Sequence, residues 1–150
     1  MFELAMVNVD KPALTEEETL RRVAQFGGSS SSGKVWPVAV SSAPRFTEKT
    51  SLFKNCYFVV GADTAVRLVD PKYYGNSVES MATALRTMSE CGAKFVVAGR
   101  LDQRKDAAPG SFLTLDDVVI PAEFKHLFLA LPHFRVDLSS SQIRAKMMES

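Results

Sequence analysis

The feature that most constrains the fold is an apolar stripe at helical spacing, which lies between two short apolar runs. Residues 57–60 and 94–98 are compact runs typical of buried strands. Between them, apolar residues repeat at helical spacing up to Gly92: Val78, Met81, Ala82, Leu85 and Met88. Asn76, with Glu79 three residues later, is the expected start of this helix. A strand, a helix and a second strand in this order predict parallel pairing.

The same alternation extends to both sides of this segment. Further strands are expected at 2–9, 35–40 and 134–138. Further helices are expected after the capping box at 15–18, at 46–53, at 121–129 and after residue 138. Glu48 and Lys49 are expected to point outward, and Pro37 favours a sheet edge. We therefore predict an α/β protein with a Rossmann-like, mostly parallel sheet and helices on both faces.

Composition limits the class of protein. With 150 residues, of which 46% are hydrophobic, the chain is expected to form one domain, residues 1–150, with a sizeable core. The net charge of +1 gives no indication of a nucleic-acid or membrane partner. Cys56 and Cys91 lack zinc-site spacing, and no apolar run approaches the roughly twenty residues that span a bilayer. We expect a soluble, intracellular protein in a reducing compartment, with the cytoplasm favoured.

Polar segments follow three of the predicted strands: Gly61-Ala62-Asp63, Gly99-Arg100 and Ser139-Ser140-Ser141. Because parallel strands end at the same edge of a sheet, these segments are expected to meet at one rim, where nucleotides bind. The serines open a predicted helix, so their hydroxyls and backbone N–H groups would lie at its positive end. Arg144 adds a forked cation one turn later. The alternative is an ordinary helix cap, since serine is a preferred N-cap residue.

Two motifs in this chain resemble those of the nucleotidylyltransferases of the cytidylyltransferase-like superfamily, within it the nicotinate or nicotinamide mononucleotide adenylyltransferases. Residues 58–63, Phe-Val-Val-Gly-Ala-Asp, are similar to the family's strand ending in Gly-x-Asp. Residues 138–144, Leu-Ser-Ser-Ser-Gln-Ile-Arg, are similar to its Ile-Ser-Ser-Thr-x-Ile-Arg signature. The resemblance covers most of the chain in order. It implies a reaction in which ATP, with Mg²⁺, gives its adenylyl group to a mononucleotide and releases pyrophosphate.

The resemblance also implies the residues of the site. Gly61 and Asp63 would lie against the adenosine of ATP. The nucleotide's β- and γ-phosphates would be held by a cradle of residues near the end of the chain: Ser139, Ser140, Ser141 and Arg144. Beyond the resemblance itself, Lys11 and Arg100 are candidates for the mononucleotide phosphate, although a solvated cation is the commoner explanation. Tyr73 and Tyr74 are candidates for stacking on the second substrate, although a packed turn after Asp70 is the favoured interpretation.

The chain departs from the family pattern in its catalytic motif. His-x-Gly-His is absent, and His126, on an apolar helix, is interpreted as structural. Family members carry that motif after a first, central strand, so the chain is expected to lack this strand and to leave two strand edges unpaired. A missing N-terminal segment or strand exchange in a homo-oligomer would fill the slot. Whether the chain is an enzyme is therefore left open, and the alternative is a non-catalytic nucleotide-binding or assembly module.

Overall fold

The chain divides into two compact units, Met1–Leu52 and Phe53–Ser150. The computed structural model describes residues 1–7, 9, 12–27, 35–101 and 111–136, without the side chains of His133, Arg135 and Val136. Within these ranges no helix has both the length and the apolar character needed to cross a bilayer. The expectation of a single domain stays a prediction.

In its described residues, the first unit contains a two-stranded parallel sheet and two helices. Strands β1 (Phe2–Ala5) and β2 (Val38–Ser41) pair with Phe2 opposite Val38, and helices α1 and α2 cover Glu16–Ala24 and Phe46–Leu52. Both strands are shorter than predicted. Pro37 lies just before β2, where it has no ladder N–H to supply, and its carbonyl accepts from the Phe2 N–H at 2.9 Å.

Helix α1 begins as predicted at Thr15, whose hydroxyl accepts a hydrogen bond from the Glu18 N–H at 3.2 Å. The carboxylate of Glu18 accepts from Arg21 at 2.7 Å and from Arg22 at 2.6 Å. These hydrogen bonds, first from Arg21 and then from Arg22, lower the pKa of Glu18 to about 2. The predicted capping box therefore supplies the Thr15 bond, while the Glu18 side chain forms ion pairs along the helix.

A polar network joins three elements of the first unit. The Nζ of Lys49 on α2 lies 2.5 Å from Oε2 of Glu3 on β1, and the Ser41 hydroxyl at the end of β2 donates to the other oxygen of Glu3 at 2.5 Å. Lys49 is only 9% exposed. The prediction that Lys49 points outward is wrong. Its side chain turns inward to an acidic partner, Glu3, which lies 46 residues earlier in the sequence.

The described residues of the second unit, 53–101 and 111–136, form four strands, two helices and three short 3₁₀ turns. Its strands are β3 (Tyr57–Gly61), β4 (Lys94–Leu101), β5 (Phe112–Leu113) and β6 (Phe128–Val136), and its helices are α3 (Ala62–Leu68) and α4 (Val78–Glu90). The 3₁₀ turns are Pro71–Tyr74, Leu115–Asp117 and Ala122–Leu127. Helix α3 follows β3 directly and was not assigned from the sequence.

Strand β4 is central in this sheet. It pairs in parallel with β3 and β6, with Phe95 opposite both Phe58 and Phe128, so these two strands lie on opposite edges. Arg100 pairs with Leu113 of antiparallel β5 on one side and with Val136 of β6 on the other. Strand β5 therefore lies on the same side of β4 as β3, beyond the end of β3. The chain is thus mixed α/β with open sheets that contain parallel strands, as predicted at that level.

The core of the second unit lies on one face of this sheet. The ring of Phe95 is 5.8 Å from Phe58 and 5.4 Å from Phe128, measured between ring centroids. The buried stripe of α4 consists of Met81, Leu85 and Met88, as predicted, whereas Val78 is exposed. On the other face Tyr57, Val59 and Leu129 are exposed, so the expectation of helices on both faces stays a prediction.

Element boundaries in the second unit differ from the predicted ones for local reasons. Ser77 caps α4 instead of Asn76, because Asn76 has a positive φ of 59° and the Ser77 hydroxyl accepts from the Ser80 N–H at 3.1 Å. The predicted helix 121–129 is a 3₁₀ turn followed at once by β6. Strand β6 starts six residues earlier than predicted, at Phe128. Its pairing with β4 is irregular between Val97 and Gly99. Pro132 lies in this irregular part of β6, where it need not supply an N–H to the ladder.

Candidate functional site

The ends of β3 and β4 bring together three of the residues singled out in the sequence, Gly61, Asp63 and Arg100, here called the strand-end cluster. Gly61 lies opposite Ala98 in the parallel register. Arg100, two residues beyond Ala98, donates from Nη1 to Oδ1 of Asp63 at 3.0 Å. The Arg100 and Asp63 side chains are 31% and 43% exposed, so the ion pair can be reached from solvent.

Gly61 makes room for this ion pair. Its φ of −75° is open to any residue, so the backbone does not require glycine here. A Cβ at this position would lie 2.7 Å from Oδ1 of Asp63 and 3.5 Å from Cδ of Arg100. The absent side chain therefore serves the close approach of the Asp63 carboxylate to the strand end.

Helix α3 positions Asp63. Gly61 is its N-cap, and Asp63 lies in its first turn, where a negative charge is favoured. The opposite side of the helix is anchored by Ala62, Ala65 and Leu68, which are all buried. This anchoring holds the carboxylate at the strand end instead of leaving it on a loop.

Tyr73 lies in the 3₁₀ turn Pro71–Tyr74. The Nζ of Lys72 is 4.9 Å from the centre of its ring, and the guanidinium carbon of Arg67 is 6.0 Å away. The neighbouring Tyr74 hydroxyl donates to the Leu68 carbonyl at 3.0 Å. The pKa of Lys72 is held above its usual value, mainly by Tyr73 and then by Asp70. These contacts are those of a packed turn, the interpretation that the sequence favours for this segment.

Lys11 and the serine cradle, Ser139, Ser140, Ser141 and Arg144, lie outside the described residues. Val136, the last described residue of the chain, ends β6 and pairs with Arg100 of β4.

Gly99, which precedes Arg100, has a packing role that the sequence did not indicate. Gly99 is buried, and a Cβ at this position would collide with the ring of Phe112 from β5. Without a side chain, Gly99 leaves a gap that the Phe112 ring occupies. Of the two glycines at the strand ends, Gly61 serves the ion pair and Gly99 serves the core.

The described part of the chain contains no group of three or more His, Cys, Asp or Glu residues able to hold a metal ion. This finding does not bear on the expected Mg²⁺, which keeps several water ligands and binds largely through substrate phosphates. Mg²⁺ with ATP stays a prediction. Comparisons of the chain with protein-family models, with curated proteins and with solved structures gave no match.

Proposed function

We propose that this chain is a nucleotide-binding module of the nucleotidylyltransferase type, whose ligand is ATP. The single observation that carries the proposal is the strand-end cluster, in which Arg100 and Asp63 are paired at 3.0 Å at the ends of adjacent parallel strands. In sheets of parallel strands, ligands bind outside the carboxyl ends of the strands. As part of this proposal, we also propose that the sheet of the second unit is Rossmann-like.

The chemistry of the cluster suits a nucleotide. The guanidinium of Arg100 has five N–H donors, so it can hold Asp63 and bind a phosphate at the same time. The carboxylate of Asp63 has more lone pairs than the single bond to Arg100 uses, so it can also accept from a ligand hydroxyl such as that of ribose. Gly61 supports the cluster indirectly, because its missing side chain leaves room for the Asp63 carboxylate at the strand end.

The serine cradle supports the proposal through its place in the chain. Val136, three residues before Ser139 in the sequence, pairs with Arg100 of the cluster. In the proposed complex the serine cradle holds the β- and γ-phosphates, Gly61 and Asp63 lie against the adenosine, and Arg100 meets the mononucleotide phosphate. Mg²⁺ accompanies the triphosphate, and a nicotinate or nicotinamide mononucleotide is the acceptor in the ancestral reaction.

A non-catalytic module is the second candidate, and one observation favours it. The chain contains no His-x-Gly-His, the motif that stabilises the transferring phosphate in the family it resembles. Each such donor is worth on the order of 3 kcal/mol, so the loss of two would slow transfer by about four powers of ten. In this form the chain binds the nucleotide and acts through a partner domain.

Calorimetric titration with Mg·ATP tests the proposal. We expect wild-type binding, and a loss of roughly tenfold or more in affinity for Arg144→Ala, because one charge-assisted phosphate contact is worth about 1.5–3 kcal/mol. Asp63→Asn keeps the shape of the side chain and should weaken binding through Arg100. Arg86→Ala is the matched control, since it removes one exposed cation from the same unit.

The titration also separates the two candidates and can refute both. Absence of binding by the folded wild-type chain would contradict nucleotide binding altogether. An equal loss for Arg86→Ala and Arg144→Ala would mean that net charge, and not the cradle, governs the affinity. Binding without pyrophosphate release, when nicotinamide mononucleotide is added, would favour the non-catalytic module.

A further inference from the structure

We propose that Ser89 is a nucleophilic serine, activated by His126, that takes the acyl group of activated esters. The observation is a side-chain pair in the second unit, in which Ser89 Oγ and His126 Nε2 lie 3.0 Å apart. Ser89 is in the last turn of α4, and His126 is in the 3₁₀ turn Ala122–Leu127. The pair shares no residue with the strand-end cluster and does not depend on nucleotide binding.

The second ring nitrogen of His126 fixes which nitrogen acts as the base. Nδ1 lies 2.8 Å from the backbone carbonyl oxygen of Glu123. A carbonyl oxygen can only accept, so Nδ1 carries the hydrogen in the neutral ring and Nε2 carries the lone pair. Nε2 therefore accepts from the Ser89 hydroxyl. Ser89 is then the nucleophile, His126 the base and the Glu123 carbonyl the group that orients the base, which is the arrangement found in activated serines.

Both residues are held by buried neighbours. Met88 precedes Ser89 and Leu127 follows His126, and both of these apolar side chains are fully buried. In addition, Lys94 Nζ donates to the backbone carbonyl of His126 at 2.8 Å, which ties the 3₁₀ turn to the start of β4. The hydroxyl and the imidazole are therefore presented by rigid elements, as a reactive pair requires.

The surroundings make the pair accessible to a substrate. His126 is exposed and Ser89 is half-buried, so solvent could satisfy each group separately and burial does not require their bond. Arg86 on α4 pairs with Glu123 at 3.5 Å, and Nζ of Lys94 donates to the backbone carbonyl of His126. Both cations already have partners, so the substrate class is an activated ester, such as an aryl ester, whose phenolate leaves readily.

The reaction is a two-step acyl transfer to water. Oγ of Ser89 attacks the ester carbonyl carbon and its proton passes to Nε2 of His126. The bond to the leaving oxygen breaks, and the alcohol departs with that proton. Water then attacks the acyl-serine, again giving its proton to Nε2, and the carboxylic acid and the free hydroxyl are released.

Labelling with a fluorophosphonate probe tests the nucleophile directly. Attack by Oγ forms an oxygen–phosphorus bond, fluoride leaves, and the proton goes by way of Nε2 to solvent. We expect mass spectrometry of the full chain to place the probe on Ser89. His126→Gln, which keeps a polar side chain but removes the base, should slow labelling by about a hundredfold or more. The same variants are then compared in the hydrolysis of p-nitrophenyl acetate.

Ser80→Ala is the matched control, because Ser80 is an exposed serine of the same helix. It should label like the wild type, while Ser89→Ala should lose the modification. Thermal melts confirm that each variant is folded. Failure of the probe to modify Ser89 in the folded wild-type chain would overturn the proposal, and so would an unchanged labelling rate in folded His126→Gln.

Discussion

Replacement of Gly92, which lies two residues after the end of α4, tests how far one backbone position supports the second unit. Gly92 has a φ of 72°. Its N–H donates to the Ser89 carbonyl at 2.8 Å, and the Ala93 N–H donates to the Met88 carbonyl at 3.2 Å. These two bonds close the last turn of the helix, a geometry that favours glycine.

The expected loss for Gly92→Ala has two parts. Alanine in the left-handed region costs about 1–2 kcal/mol. The added methyl group would also lie 3.2 Å from Cα of Asn55 and would collide with its side chain. Asn55 itself has a φ of 55°, so its backbone has little freedom to yield, and overpacking of this kind adds about 1–3 kcal/mol. We therefore expect the free energy of unfolding to fall by about 2–5 kcal/mol.

Gly75 provides a matched control. Its φ is 69°, close to that of Gly92, but nothing lies within 4 Å of an added Cβ. Gly75→Ala should therefore lose only the backbone part, about 1–2 kcal/mol. Urea unfolding followed by circular dichroism measures both losses. Equal losses at the two positions would refute the role of Asn55, and Asn55→Gly should recover stability in the Gly92→Ala background.

Two further predictions concern the first unit. The lowered pKa of Glu18 means that its contribution to stability is complete above about pH 4.5 and is lost as the pH falls towards 2; the melting-temperature difference between wild type and Glu18→Gln should therefore shrink over that range, and a constant difference would contradict this. Lys49→Met should cost about 3 kcal/mol, since it leaves the partly buried Glu3 without its cation. The double variant Glu3→Leu with Lys49→Met should be more stable than Lys49→Met alone in urea unfolding, and further destabilisation would argue against an ion-pair effect.

The local sequence pattern was sufficient to predict elements that bury an apolar face. The spacing of Met81, Leu85 and Met88 predicted the buried stripe of α4, and compact apolar runs predicted β3 and β4. Lys49 was misplaced because helical periodicity carries no information about a partner on a distant strand. The start of β6 was predicted too late because residues 121–129 were assigned to a helix, whereas the strand begins at Phe128 and accommodates Pro132 in an irregular segment.

The candidate site divides in the same way. Parallel pairing of β3 with β4 was enough to predict that Gly61, Asp63 and Arg100 would meet. The direct bond between Asp63 and Arg100 was not predicted, since it depends on side-chain conformations at two strand ends. The Ser89–His126 pair joins residues 37 positions apart, and nothing in the local spacing of either one indicates the other.

The polar network around Glu3 has a consequence for how the protein opens. Within the described part of the first unit, the buried residues other than Ala43 are polar or charged: Thr19, Ser41, Lys49 and Thr50. The second unit instead buries a cluster of aromatic and aliphatic side chains. Fewer buried apolar contacts mean a lower free energy of local opening. The amides of β1 and β2 should therefore exchange with deuterated solvent well before those of β4, and the chain should unfold from this unit first.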